Sequence, residues 1–321
     1  MLYPLKLAAP MKDYIWGGTR LKDEYGKTTD LDRVAESWEL SCHRDGQSII
    51  ENGPEAGKSL MQYLEEQGNS VLGRNAGKFS YFPLLIKLID AGDDLSVQVH
   101  PDNEYAMRVE GEPGKTELWY IVDAEPGAGL LYGFSKEIGR EEFLHRAENG
   151  TILEVCNRVP VKKGDVFLIE SGTLHAIGKG ILLCEIQQNS NTTYRIYDYG
   201  RLGKDGNPRE LHLEKAADVV RLSPPPAATK PAAHIDILSD AVVDLLASCE
   251  YFTAYHVDLR GSLQLKAGPD SFHSLTVLSG SLQMDTAGGK MGLGKGETVF
   301  LSAGLGDYSV SGQAEVILGK V

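Results

Sequence analysis

Residues 164–175 read GDVFLIESGTLH, and residues 296–307 read GETVFLSAGLGD. Each stretch opens on a Gly and an acid, runs through apolar residues, and has a second Gly at its ninth position, Gly172 and Gly304. Apolar runs bounded by Gly are strands ending in tight turns. A second echo pairs ELWYIV at 117–122 with SLTVLS at 274–279, which sets Ser274 opposite Glu117. Asp307 stands where the first copy has His175. Strand units that recur in order predict two related β units, of which only the first keeps metal-type side chains.

Further strand-like runs surround the first copy: SWELSCH (37–43), LSVQVH (95–100), DVFLIE (165–170), GILLCEI (180–186) and TYRIYDY (193–199). Gly- or Asp-containing turns separate them, the pattern of a mostly antiparallel barrel or sandwich. Helices are expected at 58–68, 140–149 and 211–222. Residues 223–233, SPPPAATKPAA, hold four prolines and can neither extend a helix nor enter a central strand. This extended linker divides a chemical unit, 1–222, from a metal-free β unit, 234–321.

The chain has 321 residues, long enough for two domains at about 150 residues each. With 32 Lys+Arg against 45 Asp+Glu, the net charge of -13 argues against a nucleic-acid or anionic-membrane partner. Eight residues, FPLLIKLI at 82–89, form the most apolar segment, far short of a membrane span. Lys87 within it is expected to snorkel outward. Cys42, Cys156, Cys184 and Cys249 are widely spaced without C-x-x-C, which fits free thiols in a reducing cytoplasm.

Gln98 and His100 lie two apart on a strand and so share a face. Glu117 starts another strand, and His175 follows the turn at Gly172. Two imidazoles, a carboxylate and an amide oxygen suit Zn²⁺ or a similar divalent ion with an open coordination position. His43, His145, His212, His234, His256 and His273 have no partner spacing and are read as structural or exposed. Trp16, Trp38 and Trp119 are read as core or site wall, and the acidic stretch 102–117 as a solvated loop. No phosphate-cradling Gly-rich loop is present, so nucleotide binding has no support.

This spacing resembles the cupin superfamily, with Gln98 in place of the first His and with Glu170 and Lys179 where Pro and Asn are usual. Four blocks narrow the resemblance: WGGTRL (16–21), LSVQVHPDNEYA (95–106), GKTELWYI (114–121) and SGTLHAIGKGILLCEIQQNSNTTYRIYDYGR (171–201). In order and over about residues 1–220, they are similar to the short bacterial form of type I mannose-6-phosphate isomerases. The large helical insertion of long-form members is absent. The resemblance implies a mainly β fold of two cupin-like β-barrel (jelly-roll) units, with a few helices decorating the first.

It further implies one Zn²⁺ per chain on Gln98, His100, Glu117 and His175. Mannose 6-phosphate and fructose 6-phosphate would be interconverted through a cis-enediol. Lys115 shares a strand face with Glu117, and a nearby cation would lower its pKa toward that of a base. Arg195 would stabilise the enediolate or hold the phosphate, and Glu185 is the other base candidate. Ser96 and Lys87, with Arg195, are the candidates for phosphate contact. The expected partner is a small sugar phosphate, the state monomer or homodimer, the compartment cytoplasmic. The rival readings are a non-catalytic sugar-phosphate-binding or regulatory cupin, and a cupin isomerase acting on another sugar phosphate.

Overall fold

Gly164, Gly172, Gly296 and Gly304 all adopt left-handed backbone, with φ between 79° and 86°. A residue with a Cβ is strained there, which is why both copies carry Gly at these turns. In a computed structural model, which describes residues 2–225, 233–236 and 240–321, the two repeats are the same hairpin built twice. Val166–Ile169 pairs antiparallel with Glu117–Ala124, and Thr298–Leu301 pairs antiparallel with His273–Thr286. The Gly164 N–H donates to the Ile121 carbonyl, and the Gly296 N–H to the Val277 carbonyl.

That register corrects the expected alignment. Ile169 faces Glu117 in the first hairpin, and Leu301 faces His273 in the second. The counterpart of Glu117 is therefore His273, not Ser274. A slip of one residue exchanges the two faces of a strand, so the comparison of letters had chosen the opposite side. Asp307 keeps its place opposite His175: it pairs with Lys266 as His175 pairs with Gln98. Gly172 and Gly304 likewise donate to the carbonyls of His100 and Gly268. The second unit thus offers Lys266, Gly268, His273 and Asp307 where the first has Gln98, His100, Glu117 and His175.

The molecule is mainly β, in two jelly-roll units. In the first, a five-stranded sheet faces a six-stranded sheet. The second contributes eight strands to a continuous ten-stranded sheet, the other two being Leu5–Ala8 and Ile49–Ile50, around one apolar cluster that includes Val257, Leu275, Val299, Tyr308 and Val316. Leu5–Ala8 bridges the two units, pairing with Ile49–Ile50 of the first on one edge and with Thr298–Leu301 of the second on the other. Helices Leu60–Gln67, Arg140–Glu148 and Leu213–Val219 form where their periodicity predicts. Ser59 and Gln62 close a capping box on the first of these. Among the described residues, no helix is long and apolar enough to cross a membrane. Residues 226–232 of the expected linker lie outside the described residues.

Leu84–Ala91 is buried at all eight positions because both its faces are covered. Leu84, Ile86 and Leu88 pack in the largest apolar cluster, with Phe252, Phe272, Phe300 and Ile317 of the second unit. Ile89 and Ala91 face the interior of the first unit beside Trp119 and Leu183. Lys87 shares that inner parity, so it does not snorkel to solvent. Residues 102–117 are not a solvated loop either: Asp102 caps the helix Asn103–Val109, and Glu112, Lys115 and Glu117 are buried.

Candidate metal centre and active site

Two rows of side chains meet inside the first unit. On the five-stranded sheet, Gln98 lies abreast of His175 on one side and Arg195 on the other. On the six-stranded sheet, Lys87 lies abreast of Trp38 and Glu185, and Glu185 abreast of Trp119. Glu36 and Glu117 sit two residues before those tryptophans and share their face. Trp38 Nε1 donates to Glu36 at 2.6 Å, and Trp119 Nε1 donates to Glu185 at 2.9 Å.

His100, Glu117 and His175 bring their ligand atoms within 4.8 Å of one another, fully buried. His100 Nε2 stands 3.6 Å from one Glu117 oxygen, and His175 Nε2 stands 3.4 Å from the other. Each imidazole is oriented through its far nitrogen: Nδ1 of His100 donates to the Thr192 carbonyl at 2.9 Å, and Nδ1 of His175 to the Thr173 carbonyl at 2.8 Å. Those contacts leave Nε2 as a lone pair on both rings. Burial, then the nearby Lys115 ammonium, drives the His100 imidazolium far below its usual range, and burial drives His175 to about 4. Both rings are therefore neutral at pH 7.

The donor set fits a divalent cation. His100 Nε2 and Glu117 Oε1 are buried without a hydrogen-bond partner. Burial, then the adjacent Glu185 carboxylate, pushes the Glu117 carboxyl up, a cost that a bound cation would cancel. Gln98 Nε2 lies 3.3 Å from His175 Nε2, and a half-turn of its amide offers oxygen to the same point.

Two lysines flank this centre. Lys115 Nζ is 2.7 Å from Glu117 and 3.7 Å from Glu185. Lys87 Nζ is 3.3 Å from Glu36 and 3.4 Å from Glu185. Burial alone would raise the Glu185 carboxyl, but Lys115 and Lys87 override it and hold it ionised. Burial likewise opposes the Lys87 charge, and Glu36 and Glu185 outweigh that effect. Beside the lysines opens a cavity of about 250 Å³, lined by Ser96, Gln98, Lys87, Lys115, Glu185 and Arg195 among others. Every expected site residue is thus brought to one place.

Sequence reasoning missed Tyr14, Glu36, Asn191, Thr193 and Arg209, which also line this cavity. Glu36 had a signal, since it alternates with Trp38 as Gln98 does with His100. Arg209 had none: it reaches the cavity from a loop, where Asp198 holds it by two hydrogen bonds. The Arg195 guanidinium donates to the Glu210 carbonyl at 2.8 Å, and its Nε is buried without a partner. Burial, then the like charge of Arg209, lowers its pKa. A larger open cleft, about 560 Å³, lies by Arg74, Lys78, Cys249 and Lys320. Its cations are already engaged by Asp270, the Glu250 carbonyl and the Tyr255 ring.

Comparisons with known proteins accord with this geometry. Residues 4–120 match the family model "Phosphomannose isomerase type I, catalytic domain", and residues 243–320 match "Mannose-6-phosphate isomerase, cupin domain". The chain is 40% identical over 319 residues to mannose-6-phosphate isomerase ManA of Bacillus subtilis, covering 99% of each chain. It is 38% identical to the mannose-6-phosphate isomerase of Streptococcus mutans, covering 99% of this chain and 98% of that one. The crystal structure of the mannose 6-phosphate isomerase from Bacillus subtilis superposes with a TM-score of 0.90, at 35% identity and 99% coverage of both.

Proposed function

We infer the chemistry of this site from one premise: the chain belongs to the type I phosphomannose isomerase family, and it is a mannose-6-phosphate isomerase. The observation that carries the reading is the buried triad of His100, Glu117 and His175, set against the cationic wall of Lys87, Lys115, Arg195 and Arg209. Gln98, His100, Glu117 and His175 would hold one Zn²⁺. When bound, that ion supplies positive charge where an enediolate would develop.

The residues of the chain divide the remaining work. Isomerisation moves a proton between C1 and C2 through a cis-enediol, so a group at the cavity wall must take and return it. Lys115 is placed for this as a free amine, since an ammonium has no lone pair to take a proton: its Nζ stands between Glu117 and Glu185 and lines the cavity. Glu185, held ionised by two lysines and by Trp119, orients Lys115 and Lys87 and, lining the same cavity with a carboxylate free to take a proton, is the other base candidate. Arg195 and Arg209 repel one another, and a phosphate dianion between them would relieve that repulsion. Ser96 donates toward Gln98 at 3.5 Å and lines the same wall, as Lys87 does, so both remain assigned to substrate contact. The division into a catalytic unit, 1–222, and a ligand-free unit, 234–321, belongs to the same proposal.

The test is conversion of mannose 6-phosphate to fructose 6-phosphate before and after chelation and zinc restoration. Activity that disappears with chelator and returns with Zn²⁺ supports the reading. Turnover indifferent to zinc, or tight binding of the sugar phosphate without turnover, overturns it. His100→Ala is expected to lose stoichiometric zinc and activity together, read by metal analysis and the same assay.

A further inference from the structure

Behind the His100 ring runs a chain of contacts that the isomerase chemistry does not use. The Thr192 carbonyl that orients His100 belongs to the short connection between Ile181–Gln188 and Tyr194–Tyr197. Thr192 Oγ1 donates to Glu112 at 2.5 Å. The other Glu112 oxygen lies 2.5 Å from Nε2 of His43. The Asp45 N–H donates to Nδ1 of His43, so Nε2 carries the proton and donates to Glu112. Asp45 also accepts from Asn191 at 2.8 Å. Glu112 and His43 are both buried, and His43 lies edge-on to Trp38. Neither was expected to have a partner: His43 was read as merely structural, and Glu112 as part of a solvated loop.

We propose that Glu112, locked by His43, is a positioning residue that fixes Thr192, so that the Thr192 carbonyl aims His100 and the Asn191 and Thr193 side chains keep their places in the cavity wall. This rests on the zinc reading above. Both Glu112 oxygens are engaged, each by a different donor. A glutamine could still meet both, accepting from His43 and donating to the Thr192 hydroxyl, whereas a methionine of similar length can accept firmly from neither. The freed connection would let the imidazole rotate, and partners behind a metal-bound His typically contribute 10- to 100-fold in metal affinity.

The test measures zinc affinity by competition with a chromophoric chelator, on the full chain. Glu112→Met is expected to weaken zinc binding roughly tenfold. Thr192→Val, which removes the hydroxyl and keeps the carbonyl, is expected to do the same, while Thr192→Ser binds zinc within about twofold of the parent. Because they break one chain of contacts, Glu112→Met and Thr192→Val combined are expected to be no worse than either alone. Should Glu112→Met fail to fold, the Val and Ser variants at 192 decide the matter. A parent that binds zinc normally beside Val and Met variants that also bind normally overturns this inference alone. A parent that takes up no zinc overturns the zinc reading, and this inference with it.

Discussion

Lys87 and Asp90 lie three residues apart on one strand and point to opposite faces of the sheet. Lys87 enters the site, where two carboxylates hold its charge. Asp90 points the other way and accepts the Arg20 N–H at 2.8 Å. Burial pushes the Asp90 carboxyl up from 3.8 to about 6. A raised acid binds its proton more readily folded than unfolded, so its contribution is fully present below 3.8 and is lost as pH rises through 6. Asp90→Asn keeps an acceptor for Arg20 and removes the ionisation cost. It is expected to gain about 1 kcal/mol more stability at pH 8 than at pH 5, measured by urea unfolding at both. The candidate ligands were legible because strand alternation places Gln98 with His100, and Glu117 at the head of an apolar run. The direction of Lys87 was not, because a strand apolar on both faces does not reveal which face is inward.

At the scale of elements, the hairpin built twice shows what each copy still has to do. Both closing glycines are left-handed, yet their surroundings differ. A Cβ on Gly172 would stand 2.9 Å from the Val219 carbonyl oxygen, whereas a Cβ on Gly304 meets nothing within 4 Å. Gly304→Ala is therefore expected to cost about 1 kcal/mol, the strain of the backbone alone. Gly172→Ala is expected to cost about 2–3 kcal/mol. Because the Gly172 N–H holds the His100 carbonyl, it should also weaken zinc binding, whereas Gly304→Ala should not. Denaturant midpoints and chelator competition on the two variants check this. The repeat could be read from its glycines, since positive φ leaves few other residues. Its register could not, because two short strands match equally well one residue apart and only the hydrogen bonds choose between Ser274 and His273.

Across the whole molecule, the second unit covers what the first cannot bury. Leu84, Ile86, Leu88, Leu182 and Ile186 on the outer face of the six-stranded sheet pack in the same cluster as Phe252, Phe272 and Phe300. Lys27 reaches from the first unit to the Gly296 carbonyl, and Thr298 donates to the buried Glu39. A chain ending at residue 222 would expose that apolar face, together with an unpaired edge at Leu5–Ala8. It is expected to aggregate on expression, or to elute as large oligomers in size-exclusion chromatography. A stable monomer that binds zinc would refute this. The sequence signalled two units through the repeat and the prolines, but four residues reading LKLA carry no address, so their pairing with the second unit could not be anticipated.

That pairing also orders events during synthesis. Leu5–Ala8 is made among the first residues, and its partner Thr298–Leu301 among the last. At about 5–20 residues per second, the two are separated by roughly 15–60 s of translation. The strands that carry the site, through Tyr194–Tyr197, have all been made by then. The nascent chain can assemble its chemistry, and set Leu7 and Ala8 against Ile50 and Ile49, well before Thr298–Leu301 arrives to cover the other edge of the first strand.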